Sequence, residues 1–245
     1  MTDKEIDGKI ERIIAILNGV QKILLDFLPQ TSGQPIGGMR EKLAGELLER
    51  IAFNSVGVLH LINSYSEVSQ MAIPLSQIYR AMLYEAVISY WLYEDNNEFD
   101  ERLKSLNGDF LKKMAPEMRL VADENSLQNL WTNWRVAFPG SFKLVNDKLE
   151  LAKYTRPIFS EICKGLEERN TYPFMKAISK AYMFLSQQAH VSAFSKGPND
   201  AYVGNLTTFE VVTSFVAGSA LLLLSKTKYS EDAFAKMIAL SESLK

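Results

Sequence analysis

Cysteine is nearly absent from this chain: Cys163 is the only one in 245 residues. A lone thiol excludes an intramolecular disulfide framework and agrees with a reducing cytoplasmic setting. Histidine is almost as scarce, with only His60 and His190. No Cys/His cluster of zinc-ligand spacing exists, so no metal is expected. Di-iron bundles need Glu-x-x-His pairs. Gly57 and Gln187 stand three residues before the two histidines and exclude them. No Arg precedes either His by five to seven residues, which removes the arrangement of helical toxin-type ribonucleases. A GxxxxGK[ST] loop, a GxGxxG turn and a GxSxG elbow are all missing, so no cofactor is expected. The 13 Gly and 8 Pro are fewer than average usage, which favours long helices over many tight turns.

Charge of one sign is missing too. The 27 basic and 29 acidic residues leave a net charge of −2. That removes the compositional case for nucleic acid or an anionic membrane as partner. No long hydrophobic run is present. The longest uncharged apolar stretch, Val211 to Ser225, has 15 residues. A bilayer needs roughly 18–20, so this stretch reads as a buried core helix and no membrane partner is expected. Residues 1–12 mix Lys4, Lys9 and Arg12 with Asp3, Glu5, Asp7 and Glu11, and Lys22 and Asp26 interrupt the apolar stretch after Ile13. No secretory signal is expected, and the chain reads as cytoplasmic.

Helical periodicity is what remains. Residues 3–28 place Ile6, Ile10, Ile13, Leu17, Val20, Leu24 and Leu28 at steps of three and four, with Pro29 ending the helix. Residues 29–38 read as a linker, the only strong one. A second helix, 39–72, carries a seam of Leu43, Leu47, Ile51, Val58, Leu61, Tyr65, Val68 and Ala72, broken once by Asn54. Residues 74–95 are apolar nearly all round, as a central helix should be. A polar segment over 97–113 leads to a loop framed by Pro116 and Asn125. Further helices are expected near 124–137, 143–153, 157–169, 173–194 and 206–226, with 195–200 as a loop and Ser230 capping a last helix to about Leu244. No sustained period-two alternation is visible. The expected fold is all-α: a single multi-helix, bundle-like domain of about eight to ten helices with little or no sheet. Residues 1–28 would be an N-terminal amphipathic helix, 29–38 a linker and 39–245 the helical core domain.

Polar residues inside apolar helices are the candidate functional groups. At 100° per residue, Arg80 and Glu85 lie about 140° apart on the 74–95 helix. They cannot pair along one face, and each must find a partner on another helix or reach water. On the 173–194 helix, Tyr182, Ser186 and His190 share a strip. His190 is either a buried, hydrogen-bonded residue or a ligand-binding group or general base. Thr207, Ser214, Gly218 and Ser225 form a small-residue stripe with Glu210 at its edge. Glu210 is the natural charge partner for Arg80 or His190. Trp131, Trp134, Arg135 and Phe138 form either core or an aromatic ligand wall. His60, flanked by Phe53, Val56, Ser64 and Glu67, reads as a boundary histidine.

Two segments, YRAMLYEAVISYWLYED from Tyr79 and YMFLSQQAHVS from Tyr182, resemble an uncharacterised, mostly bacterial family of all-helical proteins. That family carries an Arg shortly before a Glu and then Tyr-x-x-Leu-Ser-x-x-x-His-x-Ser. Tyr182, Leu185, Ser186, His190 and Ser192 match the second motif, while Arg80 and Glu85 stand five apart against the family's four. The resemblance spans Tyr79 to Ser192. It implies an intracellular helical domain in which Arg80, Glu85, Tyr182, Ser186 and His190 share one polar centre. The resulting expectation is a non-catalytic helical binding protein that takes an unknown small molecule or protein at Arg80, Glu85, Tyr182, Ser186, His190 and Glu210, and that self-associates through residues 3–28. The alternative is a metal-independent hydrolase or transferase, with His190 as base, Glu85 or Glu210 setting its protonation and Arg80 holding an anionic group.

Overall fold

A computed structural model describes residues 3–31, 38–63, 72–138, 140–153, 156–169, 174–189 and 198–243. In chain order the elements are α1 (Asp3–Thr31), α2 (Met39–Ile62), α3 (Ala72–Tyr93), α4 (Phe99–Val121), α5 (Glu124–Ala137), β1 (Phe142–Val145), β2 (Lys148–Leu151), α6 (Phe159–Glu168), α7 (Met175–Ala189), α8 (Pro198–Leu224) and α9 (Glu231–Ser243). Nine helices and one two-stranded hairpin among the described residues make the fold all-α, as the periodicity requires. The chain divides into two compact units. One joins Met1–Tyr90 with Cys163–Lys245, and the other is the continuous segment Trp91–Ile162.

In the first unit α1 packs mainly on α2 and α8. Ile13, Leu17, Val20 and Leu24, the stripe read from the sequence, are buried together with Ile16 and Phe27. The apolar face of α1 is therefore part of this unit's core, and the boundaries between the two units fall within α3 and α6. Pro29 does not end α1, which continues to Thr31. The buried face of α2 runs through Ala44, Leu47, Leu48, Ile51, Ala52, Ser55, Val58, Leu59 and Ile62. The expected continuation of this helix over 64–71 lies outside the described residues. Two ring stacks join α3 to α8. Tyr79 lies on Phe209 with centroids 4.5 Å apart, and Tyr90 lies on Phe215 at 4.8 Å. The Tyr79 hydroxyl shares a 2.9 Å hydrogen bond with Thr213 Oγ1, and complete burial pushes its phenol well above the ordinary tyrosine range. Gly218 is needed here, because a Cβ at that position would come within 2.8 Å of the Tyr90 hydroxyl.

α8 begins at Pro198, where a loop was expected. Proline suits a first turn because its missing N–H has no partner to lose there. Its segment Leu206–Leu224 is long and apolar enough to cross a membrane by composition, and half of it is buried within the protein. Ser230 stands at the head of α9. Its hydroxyl does not cap that helix but donates to the carbonyls of Leu224 (2.7 Å), the last residue of α8, and of Thr227 (2.9 Å) in the turn that follows. Cys163 on α6 is buried, and that burial, with Glu167 adding to it, pushes its thiol up to about 12. At neutral pH it is a small apolar core residue rather than a nucleophile.

The second unit holds all three tryptophans of the chain, Trp91, Trp131 and Trp134. Its small core gathers Leu111, Ala115, Leu127, Trp131, Phe142 and Leu149, with Trp134 and Phe138 packed against it. The aromatic cluster of α5 is thus core. α4 continues through Pro116 to Val121, where the sequence suggested a loop. Pro116 and Lys112 are both exposed, so the carbonyl left without its helical donor faces water.

Residues 142–151 are a hairpin, not the helix expected over 143–153. Val145 pairs with Lys148 around Asn146 and Asp147, whose φ values are 48° and 59°. Two positive φ angles define a tight turn that matches the strand twist, and Asn and Asp tolerate them best after glycine. Each strand has four residues, too few to display alternation. The Gln128 side chain closes the outer edge of β2, accepting from Leu149 N–H at 3.0 Å and donating to Leu149 O at 3.4 Å.

Asp123 caps α5 by accepting the Ser126 backbone N–H at 2.8 Å, and that bond holds its carboxyl below the ordinary value of 3.8. A depressed carboxylate contributes stability that is complete above the ordinary value and is lost as pH falls through the lower folded one. Asn caps as well as Asp but does not titrate. The stability difference between wild type and D123N, followed by tryptophan fluorescence in urea, should therefore be constant at neutral pH and move against wild type below about pH 4. A difference that stays flat down to about pH 2 would show that the cap bond is not formed in solution.

Candidate functional site

On α3, Ser76, Tyr79, Met82, Leu83, Ala86 and Val87 are buried in the core. The side chains that flank this buried face carry the chemistry. The Arg80 guanidinium carbon lies 5.5 Å from the centre of the Tyr182 ring on α7, a cation over an aromatic face. Tyr84, one turn along α3, brings its own ring 6.5 Å from Tyr182. Glu85 completes the group. Its Oε1 accepts from Arg50 Nη1 of α2 at 3.1 Å, whereas its Oε2 is buried and has no hydrogen-bond partner among the described residues. Arg80 and Glu85 do not pair with each other, as the helical wheel required, and each finds a group on a different helix.

These residues line one cavity of about 280 Å³, which Gln77 and Ala81 complete. It lies near the lower limit of the roughly 300–1,000 Å³ usual for ligand pockets. Two aromatic rings, one arginine fork and a carboxylate oxygen with unused acceptor capacity make it amphipathic. A bound molecule would need a donor for Glu85 and an acceptor for Arg80. Ser186 follows Tyr182 by one turn of α7, and its hydroxyl is likewise buried without a partner among the described residues. Leu185 beside it is core. His190, the next residue of the strip, and Ser192 lie outside the described residues, and so does any geometry for a His190-based reaction.

Glu210 does not join this group. Its Oε2 lies 2.6 Å from Lys9 Nζ and its Oε1 lies 3.1 Å from Arg12 Nε, so both oxygens are engaged by cations of α1. It therefore does not balance Arg80, one of the two partners the sequence suggested; the other, His190, lies outside the described residues. Physically, α1 lies against α8 and brings two basic side chains to Glu210. The stripe that starts at Glu210 lines a second, larger cavity of about 580 Å³ between α1, α8 and α9, through Ser214, Ala217, Gly218 and Leu221. His60 is exposed on α2 beside exposed Phe53 and Val56, whereas Ser64 and Glu67 lie outside the described residues. Among the described residues no group of three His, Cys, Asp or Glu side chains could hold a metal ion.

Sequence reasoning missed Arg50, Lys9 and Arg12. Arg50 follows the buried Leu47 and Leu48 on α2 and is itself exposed over most of its length. Nothing in a helical wheel separates it from an ordinary solvated arginine. No family model, no curated protein and no solved structure matches this chain.

Proposed function

We propose that this chain is a non-catalytic helical binding protein whose α3–α7 cavity takes a small zwitterion. The observation that carries this reading is Glu85, which lines a cavity with Arg80 and whose Oε2 is buried without a hydrogen bond among the described residues. A buried acceptor without a donor costs roughly 1–3 kcal/mol, and a ligand ammonium would relieve it. Arg80 offers the complementary fork for a carboxylate, and Tyr84 and Tyr182 supply ring faces for the apolar part between. In the same reading the chain works in the cytoplasm, which its single buried thiol supports. Self-association through residues 3–28 would use the outer, charged face of α1, since the inner stripe is packed.

Titration calorimetry with free glycine, alanine and aspartate, and with glycerol as an uncharged control, tests this. Hydrogen bonds to charged groups contribute about 1.5–3 kcal/mol, so E85Q and R80M should each weaken amino-acid binding about tenfold or more. Both variants should melt within a few degrees of wild type, because the two side chains stand at the edge of the core rather than in it. Equal affinity in wild type and both variants would remove the cavity from the reading, and tighter binding of glycerol would remove the zwitterion.

A further inference from the structure

The larger cavity of the first unit carries a separate inference, on residues other than those of the α3–α7 site. It is bounded by α1, α8 and α9 and holds about 580 Å³, in the middle of the range of ligand pockets. Its lining is graded. On α8 the residues facing it pass from Glu210 through Ser214 to Ala217 and Leu221. At about 1.5 Å of rise per residue this stripe is roughly 16 Å long, charged at one end and apolar at the other. Ile16 of α1 and Met237 and Leu240 of α9 continue the apolar part. Ser214, Ala217 and Gly218 keep the floor low, so that a cavity remains beside α8.

At the charged end Lys9 and Arg12 both contact Glu210. Arg12 Nε lies 3.1 Å from Glu210 Oε1, and the Arg12 side chain, 60% exposed, lines the cavity. Its guanidinium carries two further, terminal nitrogens. Such a planar fork takes a carboxylate through two parallel N–H···O bonds. An apolar slot with an arginine fork at one end complements a molecule with an anionic head and an aliphatic tail.

We infer that this cavity binds a single-chain aliphatic carboxylate, its head at Arg12 and its tail along Ala217, Leu221, Met237 and Leu240. Burial of a methylene is worth about 0.8 kcal/mol, which corresponds to roughly a fourfold gain in affinity per added carbon until the slot is full.

The test is titration calorimetry on the full chain with hexanoate, octanoate, decanoate and dodecanoate below their micellar concentrations. Decanol and decylammonium serve as head-group controls. Affinity should rise about fourfold per methylene and then level off. R12M, which keeps the apolar stem of the side chain, should weaken decanoate about tenfold or more and leave decanol unchanged. A217F, which fills the slot, should abolish binding of both, with circular dichroism confirming that the helices persist. If A217F fails to fold, R12M and the chain-length series still decide the matter. Absence of saturable decanoate binding to wild type would overturn the inference. So would equal decanoate affinity in R12M, decylammonium binding as tightly as decanoate, or affinity independent of chain length. None of these results bears on the Arg80–Glu85 cavity, which is tested by other variants and other ligands.

Discussion

Replacing Arg102 with Met should cost the Trp91–Ile162 unit about 3–5 kcal/mol, seen as a large fall in the urea midpoint of tryptophan fluorescence. All three tryptophans lie in this unit, so the signal reads it directly. Arg102 is among the few buried charged residues of the chain, with only 6% of its side chain exposed. It donates to the Trp91 carbonyl, which sits at the end of α3 where no helical N–H follows, and to Glu98 one turn back on α4. Its Nη1 also lies 3.3 Å from Glu94 Oε2, whose side chain is only 8% exposed. The guanidinium carbon stands 5.7 Å from the centre of the Trp91 ring. Removing this cation takes the countercharge from a buried carboxylate and a donor from a buried carbonyl at once. Part of the loss falls on the Glu94 carboxylate deprived of Arg102, so R102M combined with E94Q should recover some of it. A cost below about 1 kcal/mol for R102M would mean that this pair behaves as a solvated surface contact.

Phe209→Ala should have the largest effect in the other unit, about 3–5 kcal/mol, followed by far-ultraviolet circular dichroism during thermal unfolding. Phe209 is fully buried and stacked on Tyr79 with an interplanar angle of 12°. The substitution loses the transfer energy of the ring and leaves a cavity between α3 and α8. It also removes the ring that lies against the Tyr79–Thr213 hydrogen bond. F209L keeps most of the volume and should cost markedly less. Equal losses for Ala and Leu would point to the stacking geometry rather than to the cavity.

The parts of this fold that were legible are those that one helix can declare alone. α3 and α8 are apolar nearly all round, and only a central position satisfies that. The stacks of Tyr79 on Phe209 and Tyr90 on Phe215 show it. The stripe of α1 was visible for the same reason: Ile13, Leu17, Val20 and Leu24 recur at the helical period and are buried. α5 was bounded correctly because Asp123 is a strong cap and its apolar spacing is regular. The hairpin was missed because four-residue strands show no period and Asn146–Asp147 is a weaker turn signal than Asn–Gly. Pro116 misled because Lys112, whose carbonyl it frees, is exposed, so water can replace the missing donor and the helix continues.

The candidate site was legible by half. Arg80, Glu85 and Tyr182 were named from their place inside apolar helices, and the structure brings them to one cavity. Arg50 could not be named, and Glu210 meets Lys9 and Arg12 rather than Arg80. A helical wheel states which face of a helix is polar but not what stands opposite. The partner across the gap depends on which helices are neighbours, and that is decided by packing over contacts far apart in the chain. Lys9 and Glu210 are 201 residues apart, and Arg50 and Glu85 are 35 apart. Composition and periodicity alone determined an all-helical protein with α3 and α8 inside and a few stray charges that need partners. Only the tertiary structure decided which charges meet, that the chain divides within α3 and α6, and that the small residues of α8 line a cavity, because helix order in space is not written in any one helix.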